Sequence, residues 1–196
     1  MTITDITRSL PQAATSSAFA DLRPDTVQTI PVRWTKNQHL LSGVPLDAGT
    51  QFHRTLRLLC DFEQQPTPTE RAYLGWVSAL RRAVLSLGVD ELSIETDLEA
   101  CGTMCHGTCD LLVHGGPAPL GVIEAKVIVS GTQDVLRGRD LVQLASYARL
   151  IAGHRSFDTV WAGLAYVELE TRLVRLSVFN SSRGLVMTTL NLLHAA

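Results

Sequence analysis

The chain has 196 residues, 45% apolar and 18% charged, with a formal net charge of −2. That balance excludes an intrinsically disordered chain and a bulk polycation, so any hold on nucleic acid has to come from local positive charge. No run reaches the ~18 apolar residues that span a bilayer, and the start, MTITDITRSLPQAATSSAFADLRPD, lacks the basic-then-apolar order of a signal peptide; a cytoplasmic protein without membrane contact is expected.

Residues 1–28 are rich in Ser, Thr, Ala and Pro and read as a flexible N-terminal extension, leaving 29–196 as a single domain. In LDAGTQFHRTLRLLCDFEQQ, 46–65, apolar residues at 52, 56, 59 and 62 recur at helical spacing, and Asp47 stands where an N-cap belongs. After the break QPTPTE, a second helix is predicted to start at Thr69. Leu74, Val77, Leu80, Val84 and Leu87 share one of its faces and Gly88 stops it. Three strands follow at 92–100, 108–115 and 120–131, with GGPAPLG as turn chemistry between the last two; a meander is predicted. A helix over 139–153 ends in Gly. TVWAGLAYVELE and TRLVRLSVFN are two strands with a tight turn near Glu170 and Thr171, and RGLVMTTLNLLHAA closes as a helix. The order α-α-β-β-β-α-β-β-α implies an α/β fold, a central mixed sheet flanked by helices.

The strand LGVIEAKVIVSG is apolar except for Glu124 and Lys126, which are two apart and therefore share a face. Asp110 lies in the preceding strand, across a hairpin, where its carboxylate can approach that of Glu124. Two such carboxylates repel unless a cation lies between them, and oxygen ligands with open positions suit Mg²⁺ or Mn²⁺. An ammonium beside them can orient or deprotonate a water or neutralise a developing oxyanion. That chemistry fits phosphodiester hydrolysis. Taken singly, Glu124 and Lys126 also fit an exposed strand face, His53 a surface helix residue, and Gln143 and Tyr147 a solvated residue and a core aromatic.

The arrangement resembles the PD-(D/E)xK nuclease superfamily, and within it the branch named for the RecB nuclease domain. GTCD, Gly107 to Asp110, is similar to its Gly-x-x-Asp strand, and IEAK, Ile123 to Lys126, to its (D/E)xK strand, with thirteen residues between Asp110 and Glu124. GTQFH, Gly49 to His53, is similar to the branch's Gly-x-x-x-His, and DLVQLASY, Asp140 to Tyr147, to its Gln-Leu-x-x-Tyr helix. The four motifs occur in the expected order over residues 49–147.

The resemblance implies a restriction-endonuclease-like core whose sheet carries the site at one edge, with the His53 helix laid across it. It implies that His53, Asp110, Glu124 and the backbone carbonyl of Ala125 hold Mg²⁺ or Mn²⁺. Lys126 positions or activates the attacking water, and Gln143 and Tyr147 orient the lysine or contact a phosphate. A DNA nuclease leaving 5′-phosphate ends follows, with little sequence specificity because no recognition helix or zinc finger is visible. The strandedness of the DNA, exonuclease or endonuclease action, and a homo-oligomer or larger nuclease complex are left open. Repair, recombination, phage and defence settings all fit.

The basic residues comprise fifteen Arg and two Lys. Arg54, Arg57, Arg137 and Arg139 are the candidates for nucleic-acid contact. Cys101, Cys105 and Cys109 lack the Cys-x-x-Cys step of zinc and cluster sites, and Cys60 stands apart from them, so all four read as free thiols. Two rival readings remain: a nucleic-acid-binding protein on the same fold that does not cleave, and a cysteine-metal regulatory protein.

Overall fold

A computed structural model describes residues 2–33, 47–60, 65–99, 106–129, 136–153 and 155–195. Its elements are α1 (Ile3–Ser9), α2 (Gln12–Ala18), β1 (Thr26–Pro31), α3 (Ala48–Leu56), α4 (Pro68–Leu85), β2 (Val89–Glu99), β3 (His106–Gly115), β4 (Leu120–Ile128), α5 (Gly138–Ala152), β5 (Val160–Glu168), β6 (Leu173–Phe179) and α6 (Arg183–Ala195). A short 3₁₀ turn, Arg57–Leu59, continues α3.

The six strands form one mixed sheet in the order β1-β6-β5-β4-β3-β2. β2, β3 and β4 make the predicted antiparallel meander. β4 and β5 run parallel, which requires a crossover, and α5 supplies it. β5 and β6 form an antiparallel hairpin whose turn passes through Arg172 at φ 59. The fold is therefore α/β, with helices on both faces of the sheet.

Each face has its own core. On one, Phe52 of α3 and Tyr73, Trp76 and Leu80 of α4 pack over Leu111, Ile123 and Ala125. On the other, Leu141, Leu144 and Ala148 of α5, with Leu185 of α6, cover Val122 and Leu164. β4 thus contributes alternate residues to two cores, and its continuous apolar reading has that cause.

Several expectations need correction. Residues 1–28 hold α1, α2 and the start of β1. Ile3, Leu10 and Phe19 are buried in the α5-side core, and Thr2 and Asp5 form a capping box on α1. Three widely spaced apolar anchors suffice to dock this stretch, and its Ser/Thr/Ala composition conceals them. Asp47 precedes α3 but makes no backbone cap bond; its carboxylate accepts from Gln51 Nε2 at 2.6 Å. α4 begins at Pro68, one residue before Thr69, because its N-cap Thr67 forms a capping box with Glu70 and Pro68 occupies the first turn. β3 and β4 have neighbours on both sides, so the proposed site lies in the sheet interior rather than at an edge.

Candidate active site

The β3–β4 ladder runs from His114↔Leu120 to Leu111↔Ile123. One step further, Asp110 would face Glu124, but the strands no longer exchange backbone bonds in that register. Instead the Asp110 carboxylate enters the opening, and its Oδ2 accepts the Ala125 N–H at 2.7 Å. β4 meanwhile stays paired with β5 through Ile128↔Glu168. The sheet is therefore intact on one side of β4 and split on the other, and a carboxylate occupies the split.

The opening lets groups from both faces of the sheet meet. From α3, His53 Nδ1 lies 2.9 Å from Asp110 Oδ1. From the α5 side, Lys126 Nζ donates to Glu124 Oε1 at 2.6 Å and to Gln143 Oε1 at 2.9 Å. Gln143 Nε2 in turn donates to the Tyr147 hydroxyl at 3.0 Å. Gln143 and Tyr147 reach the lysine together because they are four apart on one helix face. Gly107 makes room for this arrangement: a Cβ there would meet Tyr147 Cε1 at 2.9 Å. Gly49 has no comparable neighbour within 4 Å.

The electrostatics follow from burial and crowding. Glu124 is 2% exposed, and its Oε2 is buried without a hydrogen-bond partner. Desolvation and the nearby Asp110 charge push its pKa up to about 8 against the pull of Lys126. Burial lowers the Lys126 pKa, but Glu124, Asp140 and Asp110 outweigh it and hold the ammonium above its ordinary range. Burial likewise works against the His53 imidazolium, and its contact with Asp110 more than compensates, so its pKa is raised. Cys109, fully buried beside the carboxylates, is pushed up to about 12 by desolvation and by Glu124 and Asp110. With no cation beside it, that favours the protonated thiol at neutral pH.

Other predicted residues are placed differently. Arg57 already has a protein partner: its Nε and Nη2 clamp the carboxylate of the buried Glu70, at 2.9–3.1 Å. Arg139 Nη2 donates to the Leu10 carbonyl at 3.1 Å and ties α5 to the N-terminal helices. Arg137 and Arg139 border a cleft of about 380 Å³ together with Gln12 and Ser16. Arg54 is exposed on α3 next to His53. Ala125 enters the site through its N–H, donated to Asp110. Cys60 is an exposed free thiol that donates to the Leu92 carbonyl at 3.2 Å; Cys101 and Cys105 lie outside the described residues.

Two residues to which no role was assigned join the network. Asp140, on the first turn of α5, accepts a hydrogen bond from the Tyr166 hydroxyl at 2.9 Å, and the same hydroxyl accepts the Arg137 N–H at 2.9 Å. Asp140 is three residues before Gln143, so spacing alone places it on the lysine-facing side. Tyr166 gave no such signal, because only the parallel register puts it beside Lys126.

Among the described residues, no three His, Cys, Asp or Glu side chains stand ready as a metal-holding group. Asp110 has both oxygens engaged, by His53 and by Ala125 N–H, and Glu124 Oε1 is held by Lys126. Glu124 Oε2 has no hydrogen-bond partner among the described residues, and two carboxylates with an imidazole are the donor types that a hard divalent cation would take.

No protein-family model matches the chain, and no curated protein matches it. Among solved structures, one described as "Crystal structure of SSO0001" is 17% identical, covers 82% of this chain and 82% of its own, and superposes with a TM-score of 0.35. A likeness at that level carries no argument about function. No helix among the described residues is long and apolar enough to cross a membrane.

Proposed function

We propose that this chain is a divalent-cation-dependent deoxyribonuclease with a restriction-endonuclease-like core, acting in the cytoplasm with little sequence specificity. One observation carries the reading. Asp110 fills the split between β3 and β4 beside a buried Glu124 whose second oxygen has no partner, while Lys126 of the next pleat is held by Gln143. A structural role alone gives little reason to bury a carboxylate beside another with one of its oxygens unpartnered, because the desolvation is unfavourable.

In this reading Asp110, Glu124 and His53 would hold Mg²⁺ or Mn²⁺, which when bound would supply Lewis-acid polarisation of the scissile phosphate. The remaining work belongs to the chain. Lys126, kept as an ammonium, orients the attacking water and offsets charge building on the phosphoryl oxygens. Gln143 fixes the lysine, and Tyr147 fixes Gln143. Arg54, exposed on α3, would be the guanidinium that meets a backbone phosphate.

The test is incubation of the purified chain with linear and circular DNA in Mg²⁺ or Mn²⁺, with a chelator control and the Lys126→Ala and Asp110→Ala variants alongside. Cation-dependent cleavage that both variants reduce by at least about a hundredfold is expected. Binding of DNA without cleavage under every condition would favour the non-cleaving alternative. Full activity in both variants would end the assignment.

A further inference from the structure

The nuclease reading uses Lys126, Gln143 and Tyr147 but leaves unexplained what holds α5 over the lysine. Leu141, Leu144 and Ala148 seat α5 in the core, and a hydrogen-bonded fixed point at its first turn would set its exact position over the lysine. β5 provides one. Tyr166 is fully buried and stands next to Lys126 in the parallel β4–β5 register. Its hydroxyl makes two bonds at once, accepting the Arg137 N–H just before α5 and donating to Asp140 Oδ2 within its first turn. One rigid phenol thereby pins both the entry and the first turn of the helix.

That pin matters to Lys126 because of helical spacing. Asp140 and Gln143 are three residues apart, so they present to the same side of α5, and Gln143 Oε1 is already 2.9 Å from Nζ. With Glu124 Oε1 at 2.6 Å, the ammonium is held from its own strand and from the helix. A shift of α5 by a fraction of a turn would remove the Gln143 contact.

We propose that Tyr166 and Asp140 are positioning residues for Lys126: through the Arg137–Tyr166–Asp140 chain they lock the first turn of α5 so that Gln143 grips the lysine ammonium. The proposal rests on the nuclease reading for its consequence, and on the observed bonds for its geometry.

The chain has only two lysines, Lys36 and Lys126, which makes a direct readout practical. In ¹⁵N-lysine-labelled protein, proton exchange from each ammonium is followed by NMR, with Lys126→Ala assigning the signal. The Lys126 ammonium is expected to exchange more slowly than a free lysine. Tyr166→Phe, which removes only the hydroxyl, is expected to speed that exchange at least about fivefold, and Asp140→Ala, which removes the acceptor, to speed it too, as loss of a hydrogen-bonded hold requires. In parallel, steady-state DNA cleavage by Tyr166→Phe is expected to show kcat lowered about tenfold with KM unchanged, the effect of about one hydrogen bond felt in the transition state alone. Exchange in wild type as fast as in free lysine, or unchanged by Tyr166→Phe and Asp140→Ala in folded protein, would overturn the proposal. If wild type does not cut DNA, the nuclease reading falls, while the exchange rates still decide this one.

Discussion

Glu124→Gln in the metal-free protein separates charge from shape at the centre of the site. Burial and Asp110 raise the Glu124 pKa from its ordinary 4.5 to about 8 in the folded chain. A group raised in this way contributes stability that is complete below its unfolded pKa and lost as pH rises through the folded one. Between those limits the folded chain holds a proton that the unfolded chain has released, and stability falls by ~1.4 kcal/mol per pH unit. From pH 5 to pH 8 this single carboxyl should therefore lower stability progressively. His53, also raised, adds a loss of the same sign near its own range, so the informative quantity is the difference between wild type and variant. Urea unfolding with chelator at pH 5, 6, 7 and 8 measures it. Glu124→Gln should match wild type at pH 5 and exceed it increasingly toward pH 8, and Mg²⁺ should flatten the wild-type decline by binding the ionised carboxylate. Parallel stability curves for the two proteins would refute the claim that Glu124 is ionised against a desolvation penalty.

Arg57→Ala should cost about 1–3 kcal/mol, because it leaves the buried Glu70 carboxylate without its clamp; a melting curve shows this, and DNA affinity should not move. Arg54→Ala should do the reverse, weakening DNA binding and flattening its salt dependence while the melting temperature stays put. Gly121→Ala should destabilise by about 1–3 kcal/mol, since its Cβ would fall 2.2 Å from Trp161 Cε2 and overpack a buried ring; chemical denaturation reports it. Ile3→Ala should cost about 2–4 kcal/mol for a fully buried anchor, which unfolding experiments distinguish from the near-zero effect expected of a loose tail.

The legible parts of the fold were those where local pattern and tertiary role agree. α4 and α5 show their apolar faces at helical spacing, and the meander is marked by turn chemistry between its strands. The N-terminal helices were not legible, because Ile3, Leu10 and Phe19 are too sparse to form a period and their burial depends on where α5 lies. At the site, the Glu124–Lys126 pair stood out as charge in an apolar strand, and Gln143 with Tyr147 as neighbours on one helix face. Arg57 was misleading. Its position on the His53 helix suggested a phosphate contact, whereas its partner, Glu70, is thirteen residues away and reached through the packing of the 3₁₀ turn against α4. Tyr166 was invisible for a different reason: a tyrosine in a wholly buried strand reads as core until the parallel register places its hydroxyl by the lysine.

The proposed chemistry depends on Asp110 and Glu124 holding one divalent cation between them. Calorimetric titration of the chelator-stripped protein with Mn²⁺ addresses that most directly. One Mn²⁺ per chain in wild type, with binding lost in both Asp110→Ala and Glu124→Gln, is the predicted result. No binding in wild type, or binding that survives both substitutions, would contradict it.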